Sequence, residues 1–177
     1  MNLKLIDFTR NNKIKKEYLC ENHGGKDISP YISWTINNNA KSYALILEDP
    51  DAVPVDNFIH WYIPFISPEI NEILELNHSS IISPQSINLS KINYNKINMF
   101  QAKNTIGQFG YHGPCAPKDS GTHHYKFTIF ALNKILPINN SNVQISGSSQ
   151  FRTILAQNNI SILSEDSIIF QYYFGMV

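Results

Sequence analysis

Charge is scarce in this chain. Lys, Arg, Asp and Glu together make up 16% of 177 residues, and they cancel to a formal net charge of zero; about a quarter is usual for a globular protein. A neutral chain offers no basic groove for nucleic acid and no strong attraction to an anionic bilayer. Cysteine is nearly absent as well: Cys20 and Cys115 are the only two. Two are too few for a disulfide scaffold, and no CxxC spacing suggests zinc. The plain reading is a pair of reduced, partly buried thiols in a reducing cytoplasm, with a bridge as the alternative. No run approaches the ~18 apolar residues of a membrane helix. The start, Met1-Asn2-Leu3-Lys4-Leu5-Ile6-Asp7, lacks the apolar stretch of a signal peptide. The expectation is a cytoplasmic protein with at most peripheral membrane contact.

What is present is apolar and aromatic. Hydrophobic residues reach 42% and aromatics 12%, enough for one core over residues 1–177 without staples. Asn and Ser take the place of the missing charge on the solvent side, as in Asn37-Asn38-Asn39. Ser42 to Glu48 is a short apolar run ending in Asp-Pro, the pattern of a strand buried on both faces. Strands are also expected at 28–34, 58–65, 124–132 and 168–174. Short strands divided by Pro, Gly and Asn turns predict a mainly β, antiparallel two-sheet sandwich. Helices are confined to the C-terminal fifth: one capped by Ser148 or Ser149 and running through Gln157, and a second turn or two over 160–165. Residues 77–98 read as a long surface loop.

Two polar, turn-rich loops each deliver a histidine to a strand start. The first runs from Asp49-Pro50-Asp51-Ala52 to His60-Trp61. The second runs from Tyr111-His112-Gly113-Pro114-Cys115 to Gly121-Thr122-His123-His124-Tyr125. Taken singly, Asp-Pro-Asp is a turn, Gly-Pro is a turn, and a histidine at a strand start is a satisfied polar residue. Together they read as two halves of one pocket. Alternation places His123 and Tyr125 on one face and turns His124 to solvent. The same rule groups Phe58, His60 and Tyr62 against Ile59, Trp61 and Ile63. His23, His78 and His112 read as surface residues, and Trp34 and Trp61 as core.

These motifs resemble those of the phosphatidylethanolamine-binding protein family. Asp49-Pro50-Asp51-Ala52 with His60-Trp61 is similar to its first signature. Tyr111-x-Gly113-Pro114-Cys115-x-Pro117 with His123-x-Tyr125-x-Phe127 is similar to its second, and 27–34 resembles an earlier segment. The Gly-Pro-Cys and His-Trp versions resemble the bacterial and archaeal branch more than the animal Raf-kinase-inhibitor branch. The resemblance implies a Greek-key sandwich with short C-terminal helices. It also implies a pocket for phosphate-like anions, acetate or the phosphoethanolamine head group, using Asp49, His60, Gly113, Pro114, His123 and Tyr125. Asp51 and Pro50 would shape the loop, and Tyr172 or Tyr173 would approach the pocket. Val53, Ala116, His124 and Asp27 depart from the family pattern, which has Pro, Pro, Arg and Asn at those places.

The expected roles follow from donor chemistry. Imidazole N–H groups of His60 and His123, the Tyr125 hydroxyl and backbone N–H near Gly113 would converge on anion oxygens, and Asp49 would fix an imidazole tautomer or meet an ammonium. The first functional reading is a non-enzymatic module binding a small phosphorylated or carboxylate ligand, without cofactor or metal. Two alternatives stand beside it. One is an inhibitor or scaffold of a kinase or protease acting through the pocket rim, with a homodimer as an option. The other is a metal-assisted hydrolase on Asp49, His60 and His123, although no Ser or Cys is tied to a base by any motif. If imidazoles donate, affinity for phosphate strengthens as pH falls from 8 to 5.5, by about the His range; a flat profile by titration calorimetry excludes them as donors.

Overall fold

In the computed structural model, which describes residues 1–10, 13–76 and 89–176, four long strands build the main sheet, three of them rich in apolar residues and the last alternating. They are β5 (Ser42–Asp49), β6 (Phe58–Ile66), β9 (His123–Leu132) and β10 (Ile162–Tyr172). Every residue of β5 is buried, as expected of a strand covered on both faces. With the short β8 (Met99–Phe100), these strands form a five-stranded antiparallel sheet in the order β10-β9-β5-β6-β8. The chain leaves the β8 edge and returns beside β5 as β9, which is the spatial order of a Greek key.

A second antiparallel sheet consists of β1 (Lys4–Ile6), β4 (Tyr31–Ser33) and β7 (Glu72–Ile73), and a small ribbon pairs β2 (Thr9–Arg10) with β3 (Lys13–Ile14). Leu45, Leu47, Trp61, Ile63, Phe127 and Ile129 on one face of the large sheet pack with Leu3, Ile32, Trp34 and Ile73 of the smaller sheet and its flanks. That is the sandwich. The opposite face carries Ala44, Ile46, Ile59, Tyr62, Phe130 and Leu132. It is covered by Phe151, Ile154 and Leu155 of the helix α1 (Ser148–Gln157). Trp34 and Trp61 lie in the core.

Three expectations change. Only one helix forms in the C-terminal region of the described residues. Residues 162–165 begin β10 instead of a second helical turn, because they pair with β9. The seryl cap of α1 is also different: Gly147 is the N-cap and makes no side-chain cap. The buried Glu48 does that work across the sheet, taking the Ser148 N–H at 3.0 Å and the Ser148 hydroxyl at 2.7 Å. A carboxylate at a helix N-terminus satisfies an orphan donor and complements the dipole. Finally, Cys20 and Cys115 are bridged, with Cα atoms 5.5 Å apart, which overturns the reading of two reduced thiols. Of the expected surface loop 77–98, residues 77–88, His78 among them, lie outside the described residues, and 89–98 hold two short 3-10 turns.

The bridge closes a loop of 95 residues. Removing so long a cross-link frees the unfolded chain, so Cys20→Ser with Cys115→Ser should lower unfolding free energy by about 2–5 kcal/mol. Urea melts of the oxidised wild type and the double variant check this; coincident midpoints would mean that the bridge does not form.

Candidate functional site

β5 ends at Asp49, where the chain turns through Pro50 and Asp51. Both carboxylates are used at once. Asp49 is 2% exposed; its Oδ1 accepts the Asp51 N–H at 3.0 Å and its Oδ2 accepts His123 Nδ1–H at 2.7 Å. A carboxylate this buried is tolerable only when paired and hydrogen-bonded. Asp51 repeats the arrangement at the surface, where it takes both the backbone N–H and Nδ1–H of His124, at 2.8 and 2.7 Å. Those bonds from His124 hold the Asp51 carboxyl below its ordinary range. Two aspartates two residues apart thus clamp two consecutive histidines, one inside and one outside.

His60 reaches the same place by a different device. Leu47 pairs with Trp61, but the next residue, Glu48, pairs with Ile59, so β6 carries one extra residue at His60. The bulge breaks the alternation. Ile59 joins Tyr62 on the helix-covered face, while Trp61 and Ile63 face the smaller sheet. This corrects the grouping of Ile59 with Trp61 and Ile63, and of His60 with Tyr62. It brings the His60 ring to 5.1 Å from the Tyr125 ring. His60 Nδ1–H donates to the His112 carbonyl at 2.8 Å. Burial, reinforced by the neighbouring His112, pushes its pKa down to about 3. At neutral pH the ring is therefore uncharged, with its proton on Nδ1 and a lone pair on Nε2. With Nδ1–H committed to the His112 carbonyl, Nε2 is the nitrogen left to accept, whereas the sequence reading has this ring as a donor.

His112, read from sequence as a surface residue, is half-buried. Its ring stacks on His60 at 5.8 Å and 7°, and its Nδ1 lies 3.4 Å from Asp27 Oδ1. His23 is half-buried, with Nδ1 2.8 Å from the Tyr172 hydroxyl, and burial lowers its pKa. Tyr172 is buried and pairs with His123 across the β9–β10 ladder, whereas Tyr173 is exposed. Tyr125 is fully buried; among the described residues no hydrogen bond of proper geometry reaches its hydroxyl, although Asp49 and the Cys115 backbone lie near enough to act on it. Burial first, and Asp49 second, raise its pKa far above the ordinary value, so it keeps its proton.

The second loop is held from behind. Gly113 N–H donates to Asp27 Oδ1 at 2.6 Å, Cys20 N–H donates to the Pro114 carbonyl at 3.3 Å, and the Tyr111 hydroxyl donates to the Tyr18 carbonyl at 2.8 Å. A Cβ on Gly113 would sit 2.4 Å from the Leu19 carbonyl carbon. The glycine is needed for this backbone approach and not for a ligand, and its N–H is committed to Asp27. The departure from Asn to Asp at 27 supplies a second acceptor, Oδ2, which takes the Glu21 N–H at 3.0 Å where an amide nitrogen could only donate.

One member of the cluster was missed from sequence. Ser120 Oγ lies 2.8 Å from His123 Nε2 and also 2.8 Å from the Pro117 carbonyl. Ser-Gly-Thr-His before a strand was the available signal, but three-residue spacing in a loop says nothing of direction until the loop is folded.

Comparison with known proteins adds the following. A family model for phosphatidylethanolamine-binding protein matches residues 5–172. A UPF0098 protein of Aquifex aeolicus is 38% identical over 127 residues, covering 71% of this chain and 64% of that protein. UPF0098 protein PH1269 of Pyrococcus horikoshii is 36% identical over 138 residues, covering 77% and 62%. The chain therefore spans a little under two thirds of the length of these relatives. Among solved structures, the phosphatidylethanolamine-binding protein homolog CT736 of Chlamydia trachomatis superposes with a TM-score of 0.68 at 28% identity, over 97% of this chain and 95% of that one. YBCL of E. coli superposes with the same TM-score at 20% identity over 96% of each chain, a likeness of fold.

The neutral His60 has a consequence for stability. In the unfolded chain it binds a proton below its ordinary value of ~6.5; in the fold it does so only near 3. Between these values the unfolded state holds more protons, so stability is lost as pH falls, by up to about 1.4 kcal/mol per pH unit. Denaturant melts from pH 7 to 4 should show this slope, and His60→Gln should flatten it; parallel curves for the two proteins would place the titration elsewhere.

Proposed function

Because this chain belongs to the phosphatidylethanolamine-binding protein family, we propose that Asp49, His60, His123 and Tyr125 bind a small phosphorylated or carboxylate ligand, a phosphoethanolamine-like head group included. The observation that carries this reading is the Tyr125 hydroxyl: buried, protonated and, among the described residues, without a hydrogen bond of proper geometry, with Asp49 and the Cys115 backbone close by. An unpaired buried donor costs about 1–3 kcal/mol, a cost that a ligand oxygen removes.

The other groups define what that ligand must offer. His60 Nε2 is an acceptor and Tyr125 O–H a donor. The pair Ser120 and His123 can present either. A hydrogen phosphate monoanion or a protonated carboxyl group supplies both an oxygen and an O–H. A fully ionised phosphate would face the His60 lone pair and the Asp49 carboxylate. Each Asp49 oxygen already accepts one bond, so Asp49 serves to orient His123 and is less suited to an ammonium. Gly113 and Pro114 contribute by holding His112 in place. No helix among the described residues is long and apolar enough to cross a membrane. A cytoplasmic setting, the expectation from composition, is proposed only to the extent that the Cys20–Cys115 bridge survives a reducing pool.

The test is a titration of inorganic phosphate and phosphoethanolamine, followed through the histidine ring signals by NMR. His60 and His123 should shift together. Affinity should rise as pH falls through about 6, where the dianion of a phosphate monoester takes up a proton to become the monoanion. Tyr125→Phe should weaken binding about tenfold, the equivalent of ~1.4 kcal/mol. Rings that stay unmoved in millimolar ligand would end the proposal, and an unchanged affinity in Tyr125→Phe would remove its central group.

A further inference from the structure

Three side chains in this cluster form a chain of hydrogen bonds whose order matters: Ser120 Oγ to His123 Nε2 at 2.8 Å, then His123 Nδ1 to Asp49 Oδ2 at 2.7 Å. We infer that Ser120 is a nucleophile activated by His123 and Asp49, and that the site transfers acyl groups from small carboxylic esters to water. The inference does not depend on anion binding in the pocket.

The first argument is the distribution of roles. A hydroxyl is a weak nucleophile unless a base takes its proton in the transition state, and the base must be oriented by a third group. His123 can be that base only with its proton on Nδ1. Asp49 fixes this tautomer, because a buried carboxylate accepts and does not donate. The Asp49–His123 pair is buried on both sides, 2% exposed at each residue, so water does not compete for either atom. Ser120 itself is half-exposed, which leaves the attacking oxygen within reach of a substrate. Buried base, buried orienting acid and accessible hydroxyl is the arrangement that the chemistry needs.

The second argument is the Ser120 proton. The hydroxyl has one proton and two acceptors at the same distance, the Pro117 carbonyl and His123 Nε2. When Nε2 bears a proton it donates to Oγ, and the hydroxyl turns to Pro117. When Nε2 bears a lone pair, the hydroxyl points to it and is ready to react. Only a rotation of the hydroxyl proton about the Ser120 Cβ–Oγ bond separates the two states, since Oγ lies 2.8 Å from both acceptors. Pro117 thus holds the side chain near the base in both.

The third argument is a donor for the developing oxyanion. Tyr125 follows His123 by two residues on the same face of β9, and its buried O–H, without a hydrogen bond of proper geometry among the described residues, is the kind of fixed dipole that stabilises such a charge. The step balances as follows. Ser120 Oγ attacks the ester carbonyl carbon, forming the Oγ–C bond, and its proton passes to His123 Nε2. The C–O bond to the alcohol breaks and the alcohol leaves with that proton. Water then adds to the acyl–Ser120 ester, gives a proton to His123, and releases the acid as Ser120 regains its hydrogen. The net reaction is ester plus water to acid plus alcohol, with no oxidation or reduction.

The experiment uses the full oxidised chain and a fluorophosphonate, which phosphonylates an activated serine in one step and needs no turnover. Intact mass and peptide mapping should show one adduct, on Ser120. The adduct should vanish in Ser120→Ala, whose melting curve shows that the fold is kept. Asp49→Asn, which leaves a hydrogen-bonding group of the same shape, should slow labelling by about a hundredfold or more. Hydrolysis of 4-nitrophenyl acetate should fall with the labelling rate across the variants. Wild-type protein that takes no label, or that is labelled at a serine other than Ser120, overturns the inference. So does an Asp49→Asn variant that is folded and labelled at the wild-type rate. None of these results bears on whether phosphate shifts the histidine signals.

Discussion

The bond between Asp49 and His123 is the interaction around which the site is arranged. A carboxylate at the end of a fully buried strand would be intolerable alone, since an unpaired charge away from water costs several kcal/mol. The imidazole of His123 removes that cost, and in doing so fixes the start of β9 against the end of β5. The pairing of Asp51 with His124 repeats the link at the surface, where solvent makes it worth little energetically but where it still aligns the loop. From this clamp follow the tautomer of His123, the position of Ser120 and the direction in which Tyr125 points.

A second set of contacts determines the opposite wall. The segment 18–20 and the loop 111–115 are joined by the Cys20–Cys115 bridge, by Tyr111 to Tyr18, by Cys20 to Pro114, and by Gly113 through Asp27. These ties sit behind the pocket. Together they position the His112 carbonyl, which accepts the His60 Nδ1–H. A ring buried this way is uncharged at neutral pH. The site therefore contains two histidines of opposite character. One is committed to accepting, and the other is tethered to a carboxylate and a serine.

That asymmetry links the binding and acyl-transfer readings. A protonated His123 beside a protonated Tyr125 favours an oxygen-rich ligand, whereas a neutral His123 beside Ser120 favours attack on a carbonyl. Both uses draw on the same atoms and differ by one proton. They also share a requirement for rigidity: distances near 2.8 Å between side chains from separate loops persist only when those loops are anchored elsewhere, as the bridge, Asp27 and Asp51 anchor them here.

Much of this was legible in residue order. The continuous apolar run at 42–48, the alternation over 123–129 and the loss of polar residues from both mark the central strands, because burial on one face or two writes itself into local sequence. The two loop motifs, and hence Asp49, His60, His123 and Tyr125, were legible for the same local reason, as polar residues gathered at strand ends. What remained hidden depends on partners far along the chain. The side of the sheet that His60 faces is set by a bulge whose register exists only against β5. Its tautomer is set by a carbonyl 52 residues away, and its charge by burial. Whether Cys20 meets Cys115, across 95 residues, is decided by how two loops pack. Residues 162–165 are strand because β9 offers a ladder, not because their own preferences ask for one. Sequence determined the elements and the chemical inventory, since these follow from each residue and its near neighbours; tertiary structure alone decided tautomer, charge and which hydroxyl faces the base, since these follow from distances that only the folded chain creates.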